Sequence, residues 1–242
     1  MNTLYDNDAF FTAYSAMPRS QKGLEAAGEW HQLTPLFPDV QGKAVLDLGC
    51  GYGWHCEYAA EQGAKEVLGL DASTKMIAVA QRDHARPQIS YKVADLETFA
   101  YSQAHYDLVV SNLVLHYIHD LTAIYTKVWH TLRPGGTFLF NIEHPTFTAG
   151  VHQEWITNED GTLRHWPVDN YFYPGARDTV FLGEHVTKEH HTLTQIVNPL
   201  LALGFRLSAL EEAMPPETMR DLPEMAGEMR RPMMLLVRAE KE

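Results

Sequence analysis

Short apolar runs alternate with stretches of helical periodicity over the first 145 residues of the chain. The runs are VLDL at 45–48, EVLGLD at 66–71, ISYKVADL at 89–96, YDLVVSN at 106–112 and TFLFNI at 137–142. Each run is short, and most end at a glycine or an acid, which is typical of buried strands that end in a loop. Strands that alternate with helices predict an α/β protein built on a parallel sheet.

The first strand is followed by three alternating glycines, Gly49, Gly51 and Gly53, and then by a helix that begins at Trp54. Glycine permits positive φ and lets a ligand approach the backbone without meeting a Cβ. The free N–H groups at the start of the helix face such a ligand. The loop therefore predicts a site for a nucleotide-like cofactor, with an ordinary strand–turn–helix as the alternative.

Two classes of cofactor compete for this loop. A dinucleotide fingerprint needs the spacing G-x-G-x-x-G, and here Trp54 stands where its third glycine would be. Asp47, shortly before the loop, would repel a pyrophosphate. S-adenosylmethionine has no phosphate, and its sulfonium and amino group are cationic. The residues therefore favour S-adenosylmethionine over NAD(P).

With this loop and the acids that follow it, the chain resembles the class I S-adenosylmethionine-dependent methyltransferases, and most of all the small-molecule branch that includes ubiquinone and menaquinone biosynthesis enzymes. The resemblance is good over about residues 40–145 and looser over the C-terminal strands. It implies a Rossmann-like α/β fold whose seven-stranded, mostly parallel sheet has the order 3-2-1-4-5-7-6. The last strand is expected to be antiparallel, with helices on both faces of the sheet.

The resemblance also implies roles for residues at the carboxyl ends of the strands. Asp71 would accept the ribose hydroxyls, with Ser73 as the cap of the next helix. Asp95 would bind the adenine amino group, and a solvated loop acid is the alternative there. The whole predicted cofactor-binding set is Tyr14, Asp47, Gly49, Cys50, Gly51, Gly53, Asp71, Ala72, Asp95, Leu96, Ser111 and Asn112.

Two regions lie outside the predicted sheet. Residues 1–40 are predicted to form two helices, the second near Gln21 to Leu36, which cover a methyltransferase domain at 41–242. The insert at about 144–188 is rich in aromatic residues and histidine, and its segment NEDG is typical of a hairpin turn. We expect a lid whose aromatic walls bind a planar or apolar acceptor, with the lid's own core as the alternative role for these rings. A helix from Thr187 to Leu203 and two further strands complete the domain.

Methyl transfer from a sulfonium is an in-line displacement, which mainly requires the nucleophile to be held at about 3–3.5 Å from the methyl carbon. A base is needed only where the acceptor must lose a proton, and histidine suits that task near neutral pH. His116 and His144 follow the fourth and fifth strands and are the predicted catalytic residues. Weaker candidates are His119, His190 and His191.

Composition and charge exclude several classes of protein. A net charge of −12 argues against nucleic acid as a partner, because nucleic-acid binding leaves a basic footprint. No apolar run reaches the roughly 18 residues of a membrane helix, and the N-terminal residues do not have the pattern of a signal peptide. Cys50 and Cys56 are expected to be packing residues in a reducing compartment, which favours the cytoplasm.

The histidines and acids near residue 188 raise the alternative of a metal enzyme. The motif H-E-x-x-H is absent, and no pair there has the helical spacing of a zinc site, so no metal is expected. The sequence therefore predicts an S-adenosylmethionine-dependent methyltransferase that acts on a small molecule and releases S-adenosylhomocysteine. An NAD(P)-dependent oxidoreductase and a non-catalytic binding module are the alternatives, and the oligomeric state is not predicted.

Overall fold

The computed structural model describes residues 3–150, 152–225 and 227–242, without the side chain of Glu224. Its helices are α1 (Asp8–Ser15), α2 (Pro18–Lys22), α3 (Trp30–Leu33), α4 (Trp54–Glu61), α5 (Thr74–Asp83), α6 (Leu121–Thr131), α7 (Pro145–Thr148) and α8 (Leu193–Leu203). Its strands are β1 (Ala44–Leu48), β2 (Glu66–Asp71), β3 (Ile89–Val93), β4 (Tyr106–Asn112), β5 (Leu132–Glu143), β6 (Ile156–Thr157), β7 (Leu163–His165), β8 (Gly175–Phe181), β9 (Glu184–His190), β10 (Phe205–Ala213) and β11 (Met234–Lys241).

Seven of the strands form one sheet in the order β10-β11-β5-β4-β1-β2-β3. The five strands from β5 to β3 are parallel, whereas β11 is antiparallel to both of its neighbours. Counted along the chain and read from the other edge, this order is 3-2-1-4-5-7-6. The predicted Rossmann-like sheet and its antiparallel last strand are therefore confirmed.

The central strands are buried on both faces, which explains their nearly continuous apolar sequence. In β1 the side chains alternate between two hydrophobic clusters, with Val45 in one cluster and Leu46 in the other. In β4 the same alternation puts Val109 and Val110 on opposite sides. The sheet is thus covered on both sides, and its carboxyl edge is left for the site.

Two sequence expectations about helices are wrong in detail. The helix expected near residues 21–36 is broken into α2, α3 and single 3-10 turns. Gly23 interrupts it with a φ of +62°. The helix expected from Thr187 begins only at Leu193, because the residues before it belong to β9. The third strand also ends at Val93 instead of continuing to residue 96.

Two hairpins outside the main sheet form much of the predicted lid. β6 pairs with β7 across the expected turn, where the N–H of Asn158 donates to the carbonyl of Thr162 at 2.9 Å. β8 pairs with β9 across a tight turn that contains Gly183 at a φ of +83°. Among the helices of the described ranges, none is long and apolar enough to span a bilayer.

Candidate cofactor and acceptor site

The glycine loop after β1 is held against β2 by its backbone. The N–H groups of Gly49 and Cys50 both donate to the carbonyl of Leu70, at 2.7 and 2.9 Å. Gly49, Gly51 and Gly53 all have positive φ, of 76°, 53° and 90°. A Cβ at Gly49 would lie 2.2 Å from the Val114 side chain, whereas one at Gly51 would meet nothing within 4 Å. The loop therefore needs glycine at Gly49 for packing, while Gly51 faces open space that a ligand can enter.

Asp71 at the end of β2 is tied to this loop. Its Oδ2 accepts a hydrogen bond from the N–H of Gly51 at 3.0 Å, and its Oδ1 accepts one from the N–H of Ser73 at 2.8 Å. Burial raises the pKa of this carboxyl group. A carboxylate has about four lone-pair sites, so Asp71 can still accept hydrogen bonds from a ligand. Ala72 follows it, and Ser73 caps α5 by accepting from the N–H of Met76, as predicted.

Asp47 lies in β1 with 1% of its surface exposed. Its Oδ2 accepts a weak hydrogen bond from the Cys56 thiol at 3.4 Å, and its Oδ1 has no partner among the residues that the structure describes. Burial raises the pKa of Asp47 to about 7. A cationic group beside it would stabilise the ionised form, so this acid fits a positively charged cofactor. Cys50 and Cys56 are both buried and free.

Asp95 and Leu96 follow β3, in the first turn beyond the strand. The Oδ1 of Asp95 accepts from the N–H of Glu97 at 2.7 Å, and the carbonyl of Leu96 accepts from the Tyr101 hydroxyl at 3.0 Å. The Leu96 side chain is buried in the core, while Asp95 is half-buried. Both residues therefore lie at the same carboxyl edge as Asp71.

The ends of β4 and β5 lie against a buried polar network, of which the sequence analysis singled out only Asn112. Glu29, 1% exposed, accepts from Arg19 Nη2 at 2.6 and 2.7 Å and, more weakly, from the amides of Asn112 and Asn141 at 3.4 and 3.5 Å. Burial alone would raise the pKa of Glu29, but Arg19 and these hydrogen bonds outweigh it, and the pKa is lowered. Ser111 donates instead to the Leu48 carbonyl at 3.1 Å and so joins β4 to β1.

The N-terminal segment lies over the glycine loop. Asp6 accepts from the Ser73 hydroxyl at 2.8 Å and from the N–H of Lys75 at 3.1 Å, which fastens the segment to the start of α5. The ring of Tyr14 meets that of Tyr52 edge-on, with centroids 5.7 Å apart. Tyr14 thus lies beside the glycine loop.

A second buried polar cluster joins the end of β5 to the β8–β9 hairpin. Glu143 accepts from Lys188 Nζ at 2.5 Å and from Gln153 Nε2 at 2.9 Å. His116 lies on the same side, with its Nε2 3.9 Å from Glu143 Oε1. Burial would raise the pKa of Glu143, but His116, Lys188 and Gln153 lower it overall. Of these four residues only His116 was singled out from the sequence.

The other candidate histidines are engaged in local contacts. His144 caps α7 by accepting from the N–H of Thr146 at 3.0 Å, and its Nε2 lies 3.1 Å from Glu212 Oε1. His119 pairs with Glu189 at 3.1 Å. His190 contacts Thr148 and the carbonyl of Tyr171, while His191 contacts the carbonyl of Ile118. In the described part of the chain, no group of three or more His, Cys, Asp or Glu side chains is arranged to hold a metal ion.

Comparison with known proteins decides the family. Residues 46–140 match the family described as Methyltransferase domain. A solved structure of an S-adenosylmethionine dependent methyltransferase from Mesorhizobium loti is 40% identical, with a TM-score of 0.84 over 90% of this chain and 100% of that one. The chain belongs to the S-adenosylmethionine-dependent methyltransferases. A solved structure from Listeria monocytogenes, whose description as an S-adenosylmethionine dependent methyltransferase is provisional, is 48% identical to this chain. Its TM-score is 0.86, and the match covers 91% of this chain and 99% of that one.

Two curated relatives with a named activity match over shorter stretches. The ubiquinone biosynthesis O-methyltransferase of Sinorhizobium medicae is 30% identical over 70% of this chain and 62% of that protein. A malonyl-[acyl-carrier protein] O-methyltransferase from Erwinia billingiae is 37% identical over 42% and 39% of the two chains. The chain thus spans less than two thirds of the length of these named relatives.

Family membership identifies the cofactor of the methyltransferase as S-adenosylmethionine, as the loop predicts. The residues present fit this cofactor. The space at Gly51 is open, and the Oδ1 of Asp47, without a partner in the described part of the chain, suits a ligand with positive charge and no phosphate. The alternatives of a dinucleotide-dependent oxidoreductase and of a non-catalytic binding module are thereby set aside.

Proposed function

We propose that this methyltransferase transfers its methyl group to a small-molecule acceptor bound beneath the lid, at the carboxyl ends of β4 and β5. The observation that carries the proposal is the burial of Glu143, Lys188 and His116 between that edge and the β8–β9 hairpin. A polar cluster enclosed in this way suits a ligand small enough to be surrounded by protein. Enclosure also keeps water from the transfer step.

The predicted cofactor residues are retained in this proposal. Asp71 would accept the ribose hydroxyls, and Asp95 with the backbone N–H of Leu96 would bind the adenine. Asp47 would face the cationic part of the cofactor. Support comes from the common position of these residues along the carboxyl edge of the sheet, where open α/β sheets bind their ligands.

Arg19 and Glu29 would complete the cofactor site at the ends of β4 and β5. Together they offer one positive and one negative charge beside Asn112. The methionine part of the cofactor carries one carboxylate and one ammonium group, so the charges are complementary. Residues 1–40, including Tyr14, would form the cover over this half of the site.

S-adenosylmethionine supplies, when bound, a methyl group on a sulfonium. The residues of the chain would align the acceptor, exclude water and hold a proton where the acceptor must lose one. For that proton we favour His116 over His144. Both ring nitrogens of His144 already have partners, whereas the Nδ1 of His116 has none among the described residues.

Several features support a small acceptor. A cavity of about 310 Å³ lies between the 144–188 insert, which contributes Trp155 and Trp166, and Arg231, which pairs with Glu228 at 3.0 Å. The net charge of −12 disfavours a polyanion such as RNA. The two relatives named above are O-methyltransferases by name, so oxygen acceptors are the first class to test.

The two buried, free cysteines favour a cytoplasmic location.

The test is methyl transfer from radiolabelled S-adenosylmethionine to an extract of the host cell, separated into small molecules, protein and RNA. We expect label in the small-molecule fraction, with loss of that label in the Lys188→Met variant. Lys65→Met, a change at an exposed lysine, is the control and should retain it. Label in the RNA or protein fraction alone would contradict the proposal.

A further inference from the structure

The turn that carries His116 lies between the sheet and the lid. Leu115–Tyr117 form a single 3-10 turn after β4, and this turn contacts both β5 and β9. The side chain of His116 is 3% exposed, and its Nδ1 has no hydrogen-bond partner in the residues described. A buried polar atom without a partner costs free energy, so this nitrogen is suited to a partner that arrives with a ligand.

Glu143 faces the other nitrogen of the same ring. Its Oε1 lies 3.9 Å from His116 Nε2, which is too long for a hydrogen bond but short enough for a strong electrostatic interaction in a buried site. A carboxylate in this position favours a proton on Nε2 over a bare lone pair. In that tautomer Nδ1 carries the lone pair and can accept a proton.

Lys188 sets how strongly Glu143 acts on His116. Its Nζ donates to Glu143 Oε1 at 2.5 Å and to Gln153 Oε1 at 3.1 Å. Lys188 and Glu143 are each 6% exposed, so their charges interact through protein instead of water. The ammonium group therefore offsets a carboxylate charge that would otherwise favour an imidazolium ion.

Groups from three elements face the imidazole of His116. They are Glu143 from β5, Lys188 from β9, His191 after β9, and the ring of Tyr117 in the same turn, 4.5 Å away. The pKa of His116 is lowered to about 4, mainly by burial; Glu143 acts in the opposite direction, and Lys188 and His191 contribute to the lowering. The ring is therefore neutral at neutral pH.

We infer that Glu143 is a positioning residue that holds His116 in the Nε2–H tautomer, and that Lys188 lowers the proton affinity of this histidine when the lid hairpin covers the end of β5. The inference rests on the proposed function, in which His116 takes the proton of the acceptor. A lone pair of the acceptor forms the bond to the methyl carbon, and the carbon–sulfur bond breaks with its electron pair going to sulfur. The proton of the acceptor passes to His116 Nδ1, and Glu143 faces the imidazolium that forms.

Because Lys188 belongs to β9, the protonation state of the base depends on the lid. A lid strand displaced from Glu143 would leave that carboxylate uncompensated beside His116. The histidine would then bind a proton more readily, and its pKa would rise from about 4 toward the ordinary value of histidine. The ion pair thus couples closure of the lid to the proton affinity of His116.

The test is ¹⁵N NMR of the histidine rings in the whole protein, with no cofactor or acceptor added. The signals of His116 are assigned by their loss in His116→Gln. In the wild type we expect a neutral ring in the Nε2–H tautomer from pH 6 to 8. In Lys188→Met we expect the pKa of His116 to rise by about one unit or more, since the charge of Glu143 is no longer offset. In Glu143→Gln the preference for this tautomer should be lost.

Two controls separate this role from a general effect on folding. Lys188→Arg keeps the positive charge and should leave the pKa of His116 low, and Lys65→Met should change nothing. A wild-type ring in the Nδ1–H tautomer, or charged at pH 7, would overturn the inference even if the variants did not fold. The measurement needs no acceptor, so its result does not depend on whether a small molecule is the methyl acceptor.

Discussion

Asp71, at the end of β2, accepts a hydrogen bond at 3.0 Å from the N–H of Gly51 in the glycine loop. The same carboxylate accepts from the N–H of Ser73 at the start of α5. One side chain thus fixes both the loop after β1 and the helix after β2. The residue expected to bind the ribose therefore also holds the loop that faces the rest of the cofactor.

Asp71→Ala should weaken the binding of S-adenosylmethionine and S-adenosylhomocysteine by about tenfold or more, or at least about 1.4 kcal/mol. The variant loses the ribose acceptor and also the contact that orders Gly51. Isothermal titration of wild type and variant measures this, with NAD as a ligand that should bind neither. Asp83→Ala is the matched control, because Asp83 lies at the exposed end of α5 and pairs with the exposed Arg82. Unchanged affinity in Asp71→Ala would remove Asp71 from the site.

Asp47 should make stability depend on pH. Burial raises the pKa of Asp47 to about 7, well above its value in the unfolded chain, so the native state holds this proton more tightly. Its contribution to stability is complete below about pH 4 and is lost as the pH rises to about 7. Asp47→Asn removes the titration, so its free energy of unfolding should fall less than that of the wild type between pH 5 and pH 8.

Urea denaturation at pH 5, 6, 7 and 8 measures this difference. One unit of pKa corresponds to about 1.4 kcal/mol, so the two curves should diverge by up to a few kcal/mol across the range. Parallel curves would show that Asp47 is already ionised in the native protein. Binding of S-adenosylmethionine to the variant should also be weaker, because the carboxylate that faces the cationic part of the cofactor is gone.

His116 and His144 should respond differently to substitution. His116→Ala removes the proposed base and should lower methyl transfer by about tenfold or more, while the affinity for S-adenosylmethionine is kept. His144→Ala removes the cap of α7 and its contact with Glu212, so its main effect should be on stability, of about 0.5–2 kcal/mol. Single-turnover rates, titration with the cofactor and thermal unfolding distinguish the two. Equal turnover in His116→Ala and wild type would exclude His116 as the base.

Much of the sheet could be predicted because its signal is local. β1 is a buried apolar run followed by glycine, β2 is one that ends in an acid, and β4 is one that ends at Asn112; the ends of all three are predicted to within a residue. The lid strand β9 is different. Its sequence EHVTKEH has only one apolar residue. Buried and exposed side chains alternate along the strand, but no alternation of apolar and polar residues in the sequence shows it. Lys188 and His190 are buried there because tertiary partners satisfy them.

The buried charges could not be predicted for the same reason. Arg19 and Glu29 lie in short helical turns whose sequence has no periodic polar face. Glu29 is buried against Asn112 and Asn141, which lie more than 80 residues further along the chain. Glu143 is likewise the last residue of the apolar strand β5, and nothing in the sequence indicates that Lys188, 45 residues away, pairs with it. A site formed by pairing between distant elements leaves no spacing that a single sequence can reveal.

Removal of Arg19 from its ion pair with Glu29 should lower the free energy of unfolding. Glu29 is 1% exposed on its side chain and Arg19 24%, so removal of the arginine leaves a buried charge with only amide partners. Arg19→Met should therefore cost about 3–5 kcal/mol at pH 7. The double variant Arg19→Met with Glu29→Gln should recover part of that loss, because no buried charge remains. A double-mutant cycle by urea denaturation gives the coupling free energy, which we expect to be about 2 kcal/mol or more.

The pH dependence of Arg19→Met supplies the control for this cycle. In the wild type Arg19 helps to hold the pKa of Glu29 below its usual value, so the pair contributes stability above the pKa of the unfolded carboxyl group and loses it as the pH falls. Without Arg19, burial dominates and the carboxyl group prefers to be protonated. The cost of Arg19→Met should thus be smaller at pH 4.5 than at pH 7. Arg82→Met, whose partner Asp83 is exposed, should show no measurable cost at either pH. A cost of Arg19→Met that is the same at both pH values would mean that the arginine stabilises the protein by packing alone.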